Sequence, residues 1–427
     1  KQLAVCRTEQ GLSKASLEHY IKVCGKQFSK LLSSQQIQAE ADRVWCGVER
    51  CLFGNGKELH FKKLMDFDTI GGKSNKNGAR FDLDAMHVNW LGLSLKCYLP
   101  KSENSLSYVW ESLKGKISYC NIKRLMFSSG WRYYAEIVVS GAAPTRVSIG
   151  TSTMGIDPGV STIAGVSEDA CVLEELAPNA IQYEKKIQKI SQRMDRSRRI
   201  SNPNKYNKDG TINRSNRDPW KYSKNYVKMR LLLKSLYRKK HAYIVDSHRE
   251  LCNKLITIAK YFPVEKMHFQ ALQKRAKETK RQEKKTEVKQ KDGTVKVIQK
   301  YKRKKRFGRS INRRAPARFL LELERKVEAV GGVYAEVDTK KFKASQYNHV
   351  TDTYEKIPLS QREKEIGKRK VQRDLYSAFL IRNADLDFKH PDREKCEYEF
   401  EYFADMQDQL ILKMKESGLS MRQCFGF

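Results

Sequence analysis

Three acids stand against apolar sequence: Asp157 in "MGIDPGVSTIAGVS", Glu265 in "FPVEKMHF" and Asp374 in "VQRDLYSAFLIRN". A carboxylate inside an apolar strand is costly unless it is paired, hydrogen-bonded or bound to a cation. Carboxylates drawn from separate segments can hold two magnesium ions about 4 Å apart, which activate a water and stabilise the leaving oxygen of a phosphodiester. Each acid also has an ordinary explanation alone: Asp157 in an Asp-Pro-Gly turn, Glu265 as an edge-strand surface charge, Asp374 as a helix N-cap. Their order, strand acid, long helical region, strand acid, helix-head acid, favours a shared site. An actin-type ATPase also begins with an Asp-x-Gly turn on such a pattern. It would need glycine-rich phosphate loops as well, and the sequence has none.

The elements that must position these acids follow from hydrophobic period. From about Ser13 to Leu52, Tyr20, Val23, Phe28, Leu31 and Leu32 fall at helical spacing, which predicts about two helices. From Glu58 to Ser140 the pattern changes to short alternating runs such as "ARFDLDAMHVNWLGLSLKCYL" and "WRYYAEIVVS", which predicts a small β-rich domain, a barrel, with the helices inserted near its start. After Asp157 come "ACVLEELAP" and two helical stripes, Tyr183, Ile187, Ile190 and Met194, then Ile244, Leu251, Leu255 and Ile258. The polar "SNPNKYNKDGTINRSNRDPW" lies between them as a loop. A strand is expected over 262–269, entered after Pro263. Then follow a basic stretch from Gln273 to Arg314 with little apolar pattern, the helix "APARFLLELERKVEAVGG" with Pro316 in its first turn, the strand "VYAEVDT", and a helix starting near Asp374. The whole is an α/β multidomain chain without internal repeats.

Composition narrows the partner. In 427 residues, 84 Lys and Arg against 49 Asp and Glu leave a net charge of +35, on a chain still well supplied with apolar residues. That balance fits a folded protein that holds a polyanion, nucleic acid by default. No apolar run approaches the ~20 residues of a membrane-spanning helix, and no signal-peptide pattern opens the chain. Ten cysteines are scattered without any C-x-x-C, so a reducing cytosol is expected and neither a zinc knuckle nor a disulfide framework is signalled. A chain that opens on Lys1 is expected to lack its native first residue.

The motifs resemble the RuvC nuclease domain of TnpB proteins, the transposon-encoded relatives of type V CRISPR effectors. "GIDPGVSTIAG" is similar to the first RuvC motif, "VEKMHFQALQKRAK" to the second and "VQRDLYSAFLIRN" to the third; "KRFGRSINRRAPARFLLELERKVEAVGG" and "KASQYNH" add to the likeness, which covers residues 150 to 385. It implies an RNase H-like fold in which Asp157, Glu265 and Asp374 bind magnesium and carry catalysis, two ions per site, with manganese as a substitute. It also implies a guide RNA and double-stranded target DNA as partners, cut next to a short flanking motif. A register five residues later would set Gln270 at the second acid position; the apolar spacing of "KMHFQAL" favours Glu265. Family members often carry a four-cysteine zinc ribbon between the second and third motifs. Here the stretch from Lys343 to Arg373 has no cysteine, so no zinc is expected and His349 is expected to be a surface or packing residue.

The resemblance orders the chain as the start of a wedge domain over 1–12, a helical recognition domain over 13–55, a β-barrel wedge domain over 56–150, and a RuvC domain over 151–342. A target-nucleic-acid subdomain over 343–372 and the third motif with a C-terminal tail over 373–427 complete it. The run "KYKRKKRFGR" can neutralise several phosphates, and Lys302, Arg303, Lys304, Lys305, Arg306 and Arg309 are the expected contacts. Trp131, Tyr133 and Tyr134 could stack on bases, but in an alternating strand they are expected in the core, as are Trp45 and Tyr20 on helical faces. The expected protein is a monomeric RNA-guided DNA endonuclease of the prokaryotic cytosol or nucleoid. Two rivals keep parts of that reading: a nuclease-inactive RNA-guided repressor, and a guide-independent resolvase- or transposase-type nuclease.

Overall fold

Alternation decides which face of the central sheet carries the acids. In the computed structural model, which describes all residues except 1, 55, 57, 63–66, 128, 146, 274–280, 290–293, 302–306, 359 and 426–427, the chain divides into two units, Lys1–Pro144 with Arg217–Ser235 and Thr145–Asn216 with Leu236–Phe427. The second unit is built on the strands β7 (Ser152–Thr153), β8 (Gly155–Pro158), β9 (Thr162–Val166), β10 (Cys171–Glu175), β11 (Ala259–Glu265) and β14 (Val333–Val337). They form one sheet in the order β10-β9-β8-β11-β14, with β7 also on β11. The hairpin strands β8, β9 and β10 pair antiparallel, while β8, β11 and β14 run parallel.

Both faces of this sheet are covered. Ile156, Ile163, Val172, Phe262 and Val264 pack with Leu251, Leu255, Phe319 and Leu323 from α6 (Lys224–Ile258) and α9 (Pro316–Ala329). The residues that alternate with them, Ala164, Leu173 and Val337, pack instead with Leu375, Phe379, Phe400 and Phe403 from α11 (Arg373–Arg382) and α12 (Arg393–Glu416). Side chains two apart share a strand face, so Asp157, next to Ile156, and Glu265, next to Val264, both belong to the α11 side. Gly155 lets that helix approach. A Cβ there would lie 2.2 Å from the Ala378 carbonyl oxygen and 2.3 Å from the Arg382 nitrogen.

Several expectations are corrected here. The strand around the second acid begins at Ala259 and contains Pro263. Proline lacks a ladder donor, and β11 tolerates it because its pairing is discontinuous on one side: a shifted register with β7 and a single pair, Val264 with Ile156, to β8. The basic stretch after α7 (Phe269–Gln273) holds a two-stranded ribbon, β12 (Arg281–Lys289) with β13 (Val295–Tyr301), before α8 (Gly308–Arg314). After α10 (Thr339–Phe342), the cysteine-free stretch folds into two small hairpins, β15 (Tyr347–Asn348) with β16 (Thr353–Tyr354) and β17 (Glu363–Ile366) with β18 (Arg369–Gln372). The expected tail contains α12 and α13 (Met421–Cys424), and Cys396, Phe400 and Phe403 of α12 belong to the core. The polar loop expected between the helical stripes lies between α5 (Ala180–Ser201) and α6.

In the first unit, α2 (Lys14–Gly25) and α3 (Ser34–Leu52) are the two helices expected over 13–52, each opened by a serine capping box, from Ser13 and Ser33. A further helix, α1 (Gln2–Glu9), precedes them. The β-rich part is no barrel among the described residues. It consists of two open three-stranded sheets, β1 (Thr69–Gly71) with β5 (Lys116–Phe127) and β6 (Gly130–Ser140), and β2 (Arg80–Asp82) with β3 (His87–Trp90) and β4 (Leu93–Lys96); α4 (Glu103–Leu113) precedes β5. Strands of three or four residues are too short to carry a ladder around a closed barrel. A small core of Ala79, Phe81, Val88, Leu113 and Cys120 joins them. Of the aromatic residues expected inside, Tyr133 is 68% and Tyr20 65% exposed, Tyr134 is exposed, and Trp131 and Trp45 are half-buried, Trp45 with its indole N–H on Glu49.

Candidate carboxylate site

Three separate segments bring the acids together. Asp157 stands at the C-terminal end of β8, paired in register with Ala164, and Glu265 is the last residue of β11, 9% exposed and central in the sheet. Asp374 lies in the first turn of α11, whose N-cap is Gln372. A turn role for Asp157, an edge position for Glu265 and a capping role for Asp374 are thereby set aside. Gln270 sits exposed on α7, away from the acid position. The C-terminal ends of parallel strands are where open α/β sheets place their sites, and the helix N-terminus favours negative charge.

Burial and neighbouring charge set the electrostatics of the acids. Burial pushes the Asp157 carboxyl well above the usual carboxylate range, and the Glu265 and Asp374 charges and a hydrogen bond with Glu265 push it further. Glu265 is also raised, first by burial and then by the Asp374 charge, with hydrogen bonds to Asp157 and Thr339 opposing the shift. Like charges sharing a small space keep a proton between them unless a cation takes its place. Asp374 meets its own counter-charges: Arg373 donates through Nη2 at 2.8 Å and Nε at 3.1 Å to Oδ1, and Arg362 Nη1 lies 3.4 Å from Oδ2.

By donor chemistry this set suits a hard divalent cation such as magnesium, which takes carboxylate oxygens. Among the described residues, however, no three His, Cys, Asp or Glu side chains stand close enough to ligate one ion. The third carboxylate is instead engaged by the two guanidiniums. Arg362, Arg373 and Thr339 were not singled out from sequence. The one signal for the two arginines was their position, in "SQRE" and immediately before Asp374 in "QRD".

The other expected site residues divide. Lys302, Arg303, Lys304, Lys305 and Arg306 lie outside the described residues. Arg309, on α8, is largely exposed and 3.9 Å from Glu184. His349 is a packing residue, 1% exposed, with Nδ1 2.8 Å from the Tyr376 hydroxyl and its ring against Phe400.

No family profile and no curated protein matches the sequence. Solved structures similar to this chain include the cryo-EM structure of a Cas12f1-sgRNA-target DNA complex, 12% identical over 90% of this chain and 78% of that one, with a TM-score of 0.48. Another is the cryo-EM structure of a CRISPR-Cas12f ternary complex, 14% identical over 92% of this chain and 78% of that one, with a TM-score of 0.30. The functional reading rests on the chain's own side chains.

Proposed function

We propose that this protein is an RNA-guided DNA endonuclease of the RuvC type. It would bind a guide RNA and double-stranded target DNA and cut next to a short flanking motif, in the prokaryotic cytosol or nucleoid. The observation that carries the reading is that Asp157 and Glu265, on the α11 side of neighbouring strands β8 and β11, and Asp374, in the first turn of α11, come from segments far apart in sequence to share one charged environment. The strand order β10-β9-β8-β11-β14 with β9 antiparallel to its neighbours supports the expected RNase H-like fold. The net charge of +35 supports a polyanionic partner.

In this reading Asp157, Glu265 and Asp374 would hold magnesium, which would supply water activation and charge neutralisation at a phosphodiester. Asp157 and Glu265, both raised by burial, would lose any proton they hold when a cation binds. Arg362 and Arg373 would orient Asp374 and contribute positive charge beside it. The test begins with the protein purified together with its RNA, which is sequenced. Magnesium-dependent cleavage of DNA complementary to that RNA is then measured for wild type and Asp157→Ala. The variant is expected to bind and not cut, and magnesium to raise the thermal stability of wild type but not of the variant. Cleavage retained by the variant, free of contaminating nuclease, rejects the assignment. A second reading, a guided DNA binder without cleavage, draws on the engagement of Asp374 by Arg373 and Arg362; binding without cutting by wild type would select it.

A further inference from the structure

Among the described residues, the insertion between α7 and α8 contributes none to the buried core clusters. Its two ends meet: a Cβ on Gly308 would lie 3.9 Å from the Gln273 carbonyl oxygen. Both ends are anchored, by buried Phe269 on α7 and buried Ile311 on α8. The anchor also touches the rim of the carboxylate site. Glu265 ends the strand that leads into α7, and the Ser310 hydroxyl on α8 donates at 3.1 Å to the carbonyl of Val160, in the turn that follows Asp157.

Between these ends runs the ribbon β12–β13, paired antiparallel from Lys289 with Val295 back to Arg281 with Tyr301. Its two strands carry six cations, Arg281, Lys284, Lys285, Lys289, Lys296 and Lys300, against two acids, Glu283 and Glu287. Val295 and Val297 are exposed. A two-stranded ribbon by itself is at best marginally stable in water, and one that exposes valine and concentrates positive charge would gain from a bound partner. A polyanion matches the charge. A two-stranded ribbon fits the ~12 Å major groove of B-form DNA, whereas the deep, narrow major groove of A-form helices excludes it.

We infer that the β12–β13 ribbon is a double-stranded-DNA-binding arm rooted at the rim of the carboxylate site, which grips duplex DNA beside the segment to be cut. The inference rests on the proposed nuclease reading for its purpose, and its test is separate from that reading. The protein is purified with its own RNA in an Asp157→Ala background, so that no probe is cut. Binding is measured by fluorescence anisotropy on a labelled DNA duplex of about 20 base pairs, on an RNA–DNA hybrid of the same sequence and on the single DNA strand, across a salt series.

Two variants are compared with that background: one with all six ribbon cations changed to Gln, and one with residues 281–301 replaced by a short Gly-Ser loop, which the adjacent ends allow. Both are expected to keep the unfolding transition of the parent and to lose at least about tenfold affinity for the DNA duplex. Their salt dependence should be shallower by about 3 to 5 in slope, since each neutralised phosphate contributes about 0.9. Losses on the hybrid and the single strand should be smaller. Unchanged duplex affinity and slope in both variants, or equal losses on all three probes, overturns the inference. Cleavage by wild type and Asp157→Ala is scored independently, so an inactive wild type would reject the nuclease reading and leave the ribbon result standing.

Discussion

The two units bury their apolar residues to very different extents. In the second, the central sheet is covered on both faces, and Phe262, Phe319, Phe379 and Phe403 are all but inaccessible. In the first, the buried apolar residues among those described are seven, Ala41, Val48, Ala79, Phe81, Val88, Leu113 and Cys120, while Tyr20, Val23, Phe28, Leu31 and Tyr133 stay exposed. The second unit is thus specified by its own packing; the first spends apolar side chains on its surface. The difference is broken or sharpened most directly by truncating a ring in the deeper core. Phe379 stacks on Phe403 at 4.5 Å between ring centres, and Phe379→Ala is expected to destabilise the protein by about 3–5 kcal/mol. Denaturant unfolding measures it; a cost under about 1 kcal/mol would mean that this core is no better packed than the first unit's.

The next largest effect tests how packing reaches the site. Gly155→Ala sets a methyl group against the backbone of α11, where the clash involves a carbonyl that cannot rotate away. Overpacking of this kind costs about 1–3 kcal/mol. Because Asp374 rides on the first turn of the same helix, the substitution should also displace it from Asp157. In the proposed nuclease a displacement of about 1 Å is enough to lower cleavage by ~10²-fold. Loss of cleavage with full stability, or the reverse, would separate the packing role of Gly155 from the positioning of Asp374.

The same contrast explains what could be read from sequence. The acids, the helices expected over 13–52 and the helix opening on Pro316 rest on local signals: an unexpected polar residue, a helical apolar spacing, a proline at N1. The barrel, the buried aromatic residues of β6 and the strand entry after Pro263 were misjudged, because each depends on what lies across the strand. Alternation in "WRYYAEIVVS" states that one face differs from the other, but not that the second face is covered. The ribbon was missed because charge hides the period of a strand without a core. Arg362 and Arg373 could not be distinguished among 84 Lys and Arg until the fold set them against Asp374.

A smaller, pH-dependent effect probes the cysteine-free hairpins. Burial lowers the His349 imidazole to about 4, with Arg393 and Lys364 acting in the same direction and Glu397 against it. The fold therefore takes up this proton less readily than the unfolded chain, whose histidine titrates near 6.5. Stability from this group is complete above about pH 6.5 and is lost as the pH falls toward 4. Wild type should lose about 1–3 kcal/mol over that window beyond what His349→Gln loses. Urea unfolding at a series of pH values checks it, and parallel profiles would remove His349 from the account.

The smallest expected effect lies back on the first unit. Tyr133 stands opposite Arg124 in the β5–β6 ladder, while the Arg124 guanidinium lies 4.5 Å over the Trp131 ring and Arg132 4.7 Å over Phe127. The neighbouring rings thus have cationic partners, and Tyr133 remains largely in water. Tyr133→Ala should change stability by no more than about 0.5 kcal/mol, the range of surface substitutions without a specific role. Thermal unfolding of the variant measures this. A cost above about 1 kcal/mol would show that the exposed face of β6 is part of the unit's own packing, and the contrast between the units would shrink to one of size.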